Sequence, residues 1–202
     1  HIEAKGSTVP ASLGGIRIAV AEHGANLAAA RTTTVGGDGA FTVTGLQPAN
    51  YEVVVTLPSG LSQTWAVRSV MAGGVELRDR PLTFENGSVG DVTITLTDQR
   101  TEVAGTLSTA SGSPATDYYI VVFSADRALW HPLSPRVRAV RPGADGGFSV
   151  RDLPPGEYRI AALTDVEPDE WRKASFLESL GDASVAITLK EGATTRQDLR
   201  IR

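Results

Sequence analysis

Few side chains in this 202-residue chain titrate near neutral pH. Histidine stands at positions 1, 23 and 131, with no paired spacing, and cysteine is absent. That absence removes disulfide frameworks, thiolate zinc sites and thiol nucleophiles together. The motifs His-Glu-x-x-His and Gly-x-Ser-x-Gly are missing as well. Glycine clusters lie between strand-like stretches and open no helix, so they lack the dipole that a phosphate loop uses. Asp38 and Asp145 each begin an Asp-Gly turn, but one carboxylate per turn falls short of the several oxygens calcium requires. A dispersed Ser/His/Asp triad leaves no mark that such a search would find. The expectation is no catalytic residue, no metal ligand and no cofactor.

Binding chemistry is concentrated in one stretch, Arg127 to Arg141, which carries four arginines and no acid. Arg136 and Arg138 alternate with Val137 and Ala139, so on a strand they share one face, expected to be the solvent side. Trp130, His131 and Trp171, with Arg136, Arg138 and Arg141, offer ring stacking and guanidinium hydrogen bonds to a sugar, an anionic polymer or an acidic partner. The competing reading is a long loop pinned by Leu129 and Trp130, with its arginines solvated.

The elements that would carry these residues come from a repeat. At an offset of 107 residues, Asp38-Gly39-Ala40-Phe41-Thr42-Val43 aligns with Asp145-Gly146-Gly147-Phe148-Ser149-Val150. Leu46, Pro48 and Tyr51 then meet Leu153, Pro155 and Tyr158, Arg31 meets Arg138, and Asp91 to Ile94 meets Asp198 to Ile201. Each copy reads as β. Ile16, Ile18 and Val20 alternate with Arg17 and Ala19, and Tyr51 to Val55 and Tyr158 to Ala162 are later strands. Val92 to Leu96 closes the first copy, and Leu199 to Arg202 closes the second. Turn signals recur at intervals of about ten residues, as a sandwich requires. The boundary falls at the polar joint Asp98-Gln99-Arg100, giving domains 1–98 and 99–202.

Two local features break the pattern. Pro168, Asp169 and Glu170 suit a helix start and Gly181 a stop, predicting one helix over about 168–180 in the second domain. Its apolar face is expected to be Ala174, Phe176, Leu177 and Leu180, with Trp171 off that face. The first copy also looks clipped. Glu102 to Leu107 opens the second copy, whereas Ile2-Glu3-Ala4 alone precedes the equivalent turn in the first. A missing opening strand would leave an unpaired edge, a template for strand addition from upstream residues or another copy. The alternative is a short, harmless, solvated edge.

The motif Asp-Gly-x-Phe-x-Val-x-x-Leu-x-Pro-x-x-Tyr, present twice, resembles the signature of carboxypeptidase-regulatory-like domains, also described as prealbumin-like or transthyretin-like. The first copy departs from the usual Pro-Gly-x-Tyr with Pro48-Ala49-Asn50-Tyr51. The resemblance implies an all-β chain of two tandem antiparallel Greek-key β-sandwiches of about seven strands each. It also implies a place in secreted and surface proteins of bacteria, beside peptidases, outer-membrane receptors or adhesin-like stalks, and it brings no catalytic residues. Independently of any family, the Asp-Gly steps suit turns with positive φ, and Leu-x-Pro-x-x-Tyr resembles a tyrosine corner. A related β-module class joins Lys to Asn in its core. Only the first copy has both, as Lys5 and Asn86.

Composition narrows the function further. A net charge of −4 argues against nucleic acid as a partner, and 41% hydrophobic content supports packed cores. No apolar run approaches the roughly 18 residues that span a bilayer. The chain begins at His1 without an initiator Met, the mark of a processed product or an excised piece. Three functions fit. One is a non-catalytic structural or assembly module, extracellular, at the cell surface or periplasmic, whose partners are proteins met through strand addition. The second is a carbohydrate or envelope-polymer binding module using Trp130, Trp171 and the Arg136 to Arg141 cluster. The third is an accessory domain of a larger peptidase or outer-membrane receptor.

Overall fold

The computed structural model describes residues 1–25, 27–87, 89–164, 166–167 and 169–201. The chain separates into two compact units, His1–Gln99 and Arg100–Arg202.

The first unit contains β1 (Ile2–Lys5), β2 (Arg17–Glu22), β3 (Arg31–Thr34), β4 (Ala49–Thr56), β5 (Ala66–Ala72), β6 (Val75–Glu76), β7 (Leu82–Phe84) and β8 (Val92–Thr97). They form two sheets, β3-β2-β4-β7 and β1-β8-β5-β6. Period-2 alternation decides which faces meet: Ile18 and Val20 on β2 point inward with Val53, against Val70, Ile94 and Leu96 of the other sheet. One α-helical turn that the sequence reading did not anticipate, α1 (Ser59–Ser62), follows Pro58 and buries Leu61.

The second unit contains β9 (Glu102–Ser108), β10 (Tyr119–Ser124), β11 (Val137–Val140), β12 (Gly147–Arg151), β13 (Gly156–Leu163), α2 (Ala174–Ser179), β14 (Val185–Leu189), β15 (Thr194–Arg196) and β16 (Leu199–Arg200). One sheet runs β11-β10-β13-β14, and the other runs β12-β9-β15 with β16 also on β9. Both units are therefore β-sandwiches whose chain crosses between sheets. Pairing is antiparallel except where the opening strand meets the closing ones: β1 on β8, and β9 on β15 and β16, are parallel. Arg202 lies outside the described residues.

The unbroken apolar run of β10 has a physical reason. Ile120 and Val122 face the sandwich interior with Ile160 and Tyr158, while Val121 and Phe123 face a second core with Ala161, Leu177 and Leu180. A strand covered on both faces has no polar side to present. The cover on the outer face is the helical segment, tied down where the Arg159 guanidinium donates to the Gly181 carbonyl at 2.8 Å and to Ser184 Oγ at 3.0 Å.

That segment is shorter than the predicted helix. Pro168, the expected start, lies outside the described residues. Asp169 is left-handed (φ 63°) and Lys173 is extended, so the chain makes a 3-10 turn at Glu170–Arg172, breaks, and restarts as α2. Leu177 and Leu180 are buried and Phe176 half-buried as expected, but Ala174 is exposed. Ala174 opens α2 right after the break, so it does not continue the face that a single uninterrupted helix would have.

The repeat is visible in the turns and corners. Gly39 and Gly146 have φ of 79° and 77°, the positive values their Asp-Gly turns need. The Tyr51 hydroxyl donates to the Gln47 carbonyl at 2.8 Å, and the Tyr158 hydroxyl donates to the Pro154 carbonyl at 2.6 Å. Both bonds run four residues back, so both copies have the tyrosine corner. Tyr158→Phe should destabilise the second unit by about 1–3 kcal/mol, because the Pro154 carbonyl then loses its donor in a buried site. Equilibrium urea unfolding reads this directly, and an unchanged midpoint would remove the corner's structural role.

One expected equivalence holds only in part. Phe148, Val150 and Leu153 are 6, 3 and 2% exposed, whereas Phe41, Val43 and Leu46 are only partly buried. In the second unit β9 lies beside Phe148 and Val150, and among the described residues the first unit has no strand in that position.

Candidate functional site

The arginine-rich stretch begins where β10 ends. Asp126 caps a 3-10 turn at Arg127–Leu129, its carboxylate accepting the Ala128 N–H at 2.9 Å. The turn folds Trp130 back onto β10. Its indole N–H donates to the Ser124 carbonyl at 2.7 Å, and its ring meets Phe123 edge-on at 5.7 Å between centroids. Trp130 is thus anchored, with the Arg127 guanidinium 5.7 Å from its ring centre. Arg127 in turn pairs with Glu178 of α2.

Trp171 sits on the 3-10 turn of the helical segment, packed against the same outer core as Trp130. Arg172 lies 4.3 Å over its ring, and that guanidinium also donates to Asp169 at 3.0 Å and to the Pro132 carbonyl at 2.9 Å. The two tryptophans therefore share one side of the second unit, each with a cation of its own near the ring. His131, between Trp130 and Pro132, is half-buried.

Arg136 and Arg138 do not project into solvent as expected. On β11, Val137 and Ala139 pack on the outer core under the helical segment, which turns Arg138 to the inner side, opposite Val122. Arg136 reaches the tyrosine corner, donating to the Pro155 carbonyl at 3.2 Å and the Tyr158 hydroxyl at 3.3 Å. Burial holds the Arg138 guanidinium below its usual pKa, with Arg172 adding to that effect and Asp152 and Tyr158 opposing it. It remains charged at any physiological pH. Arg141 lies 4.2 Å over the Tyr119 ring and donates to its hydroxyl at 2.8 Å. Alternation correctly put Arg136 and Arg138 on one face. It could not say that the apolar residues between them served a second core.

Sequence reasoning missed the acid in this region. Asp152, with φ 65°, receives both Nε and Nη2 of Arg100, with the Nε bond at 2.7 Å. Its place seven residues after a conspicuous Asp-Gly turn gave no pattern to find. Other acids also bind backbone. Asp98 Oδ2 accepts from the Ser7 N–H and hydroxyl at 2.7 and 2.8 Å, the hydroxyl bond being the main reason its pKa lies below the usual range. Asp198 accepts the Thr106 N–H at 2.8 Å and its hydroxyl at 3.0 Å, and the N–H bond lowers its pKa most.

Reactive constellations are sparse. His23 Nδ1 lies 2.8 Å from Oε1 of the buried Glu52, but among the described residues no hydroxyl is bonded to that imidazole. A histidine oriented by a carboxylate needs a nucleophile to become catalytic. Among the described residues no three His, Cys, Asp or Glu side chains converge as a metal site would require. Lys5 and Asn86 are both exposed, and Lys5 pairs with Glu3 at 3.8 Å.

The first unit holds an open cleft of about 560 Å³. Its floor is Ile18, Val20 and Val53, and its walls are residues 41–46 on one side and Val89, Gly90 and Asp91 on the other. His1 lies at one end. Among the described residues the lining is mostly apolar, with His1, Thr42, Thr44 and Asp91 as its polar members.

No protein-family model and no curated protein matches the chain. Among solved structures it is similar to the minor pilin GBS52 of Streptococcus agalactiae, at 10% identity over 94% of this chain and 83% of that one, with a TM-score of 0.38. A streptococcal ancillary pilin matches at 16% identity over 94% of this chain and 58% of that one, TM-score 0.35. The shaft pilin SpaA of Lactobacillus rhamnosus GG matches at 9% identity over 98% of this chain and 95% of that one, TM-score 0.34. Scores of this size do not carry a function from one chain to another.

Proposed function

We propose that the chain is a non-catalytic structural module: two tandem β-sandwiches of the carboxypeptidase-regulatory-like kind, spacing or bracing parts of a secreted or cell-surface protein. One observation carries this reading. The polar side chains best placed for chemistry are engaged in holding backbone, with Arg136 on the second tyrosine corner, Asp198 on β9 and Arg172 on the loop after Trp130. Partners on this reading are proteins, either neighbouring domains of the same polypeptide or other copies. Among the described residues no helix is long and apolar enough to cross a membrane.

A second reading has a specific observation behind it. Trp130 and Trp171 lie on one side of the second unit, and ring faces with adjacent guanidinium groups suit a sugar or an anionic polymer. A glycan array followed by tryptophan-fluorescence titration separates the two. The structural reading expects no saturable signal from the wild-type chain. Binding that Trp171→Ala abolishes, at unchanged melting temperature, would replace it with the carbohydrate reading.

A further inference from the structure

Residues 40–44 and β12 are the same stretch of the repeat, yet only β12 is a strand. In the second unit β12 pairs antiparallel with β9, from Gly147 opposite Thr106 to Arg151 opposite Glu102. On the other side of β9, β15 pairs in parallel, from Thr194 opposite Glu102 to Arg196 opposite Ala104. β9 is thus the middle strand, and its Val103 and Leu107 are fully buried in the core.

Among the described residues the first unit has both flanks of this arrangement and no middle. Its closing strand places His1 where β9 ends: the Ile94 N–H donates to the His1 carbonyl at 3.0 Å, as the Ile201 N–H donates to the Ser108 carbonyl at 2.9 Å. Beyond that point lies the cleft. Its two walls are the counterparts of β12 and of the β15 side, and its floor is the inner face of β2 and β4. Among the described residues no backbone hydrogen bond joins residues 41–46 to another strand. Phe41 and Val43, which correspond to the residues that pack beside β9, are left partly buried at its rim.

We propose that this cleft is an acceptor for one β-strand, and that its occupant is a six-residue extended segment joined in the same polypeptide to the nitrogen of His1. Three observations select that occupant. Chain direction is the first, since the counterpart of β9 runs through the cleft and straight into His1. Face is the second. Ile2 is buried, so in an extended chain every second residue before it also faces the core, which calls for apolar side chains at alternate positions. The rim is the third. Asp198 holds the N–H and hydroxyl of Thr106, and its counterpart Asp91 is exposed on the cleft wall, an acceptor for the second residue ahead of His1.

One difference between the units fits the same account. The Gly39 carbonyl accepts from the Ile2 N–H at 3.0 Å, whereas its counterpart, Gly146, accepts from Leu107 at 2.8 Å. The turn has slipped two residues along the opening strand. An even slip leaves the inward-facing set unchanged, so the incoming strand meets the core with the same side chains. This inference is independent of the structural-module reading, because an enzyme or a sugar binder with the same cleft would take the strand equally.

The test is the full chain with Glu-Val-Ala-Gly-Thr-Leu, the sequence of residues 102–107, placed directly before His1. A control carries the same six residues shuffled so that the alternation is lost. The unshuffled segment should slow amide exchange across residues 41–46 about tenfold or more, and raise the melting temperature of the first unit by about 5 °C or more. Unchanged exchange, or equal protection by the shuffled control, overturns the proposal. The free hexapeptide, added to the unextended chain, addresses the source. Saturable protection by the peptide without protection by the fused segment would assign the cleft to a partner's strand and overturn the committed occupant.

Discussion

Phe148→Ala should lower the stability of the second unit by about 3–5 kcal/mol, the range for a large aromatic removed from a packed core. Phe148 is 6% exposed, sits on β12 between the two sheets, and pairs with Gly105 on β9. Gly105 leaves room for the Gln197 backbone first and the ring second, since a Cβ there would collide with the Gln197 carbonyl oxygen and lie 3.0 Å from the Phe148 ring tip. Removing the ring therefore opens a cavity next to a residue that cannot fill it. For a unit of about 100 residues, a loss of this size lowers the melting temperature by more than about 12 °C. The matching change Phe41→Ala removes a half-solvated ring at the cleft and should cost less than half as much. Calorimetry with separate transitions for the two units checks both. Equal losses at the two positions would contradict the difference in burial.

Leu177→Ala should cost about 2–5 kcal/mol, because Leu177 is fully buried between α2 and the outer face of β10 and β13. Ala174→Ser, one turn earlier on the face a continuous helix would bury, should change stability by less than about 0.5 kcal/mol. Urea unfolding of the two variants distinguishes the broken segment from the unbroken helix. A large loss from Ala174→Ser would restore the latter.

The contrast between these positions shows what a sequence can carry. The sandwiches, the Asp-Gly turns and both tyrosine corners rest on period-2 alternation and a fixed offset, which short-range sterics enforce wherever the motif occurs. The helix was located but not measured, because a wheel of residues assumes one unbroken axis and Asp169 and Lys173 break it. Arg136 and Arg138 were placed together but on the wrong side, since alternation names two faces without saying which is wet. Trp130 was legible as a loop anchor beside Leu129, whereas the Arg172 guanidinium over Trp171 arises from a turn geometry with no sequence mark. The shorter opening stretch of the first copy is legible from the repeat. The cleft is not, because its walls come from two segments more than forty residues apart.

The two-sided burial of β10 also bears on how the second unit reaches its native state. Tyr119 to Ser124 is a short apolar, β-branched segment without charge or proline, the composition that pairs readily with copies of itself. Its partners β11 and β13 and the helical cover all follow it in the chain, so during synthesis it emerges before anything can shield it. Asp117 before the strand and Asp126 after it are the nearest charges, so the ends are guarded while the run itself carries no charge. Until the helical segment docks, the outer face of β10 is uncovered apolar surface, and Leu177 and Leu180 are the side chains that close it.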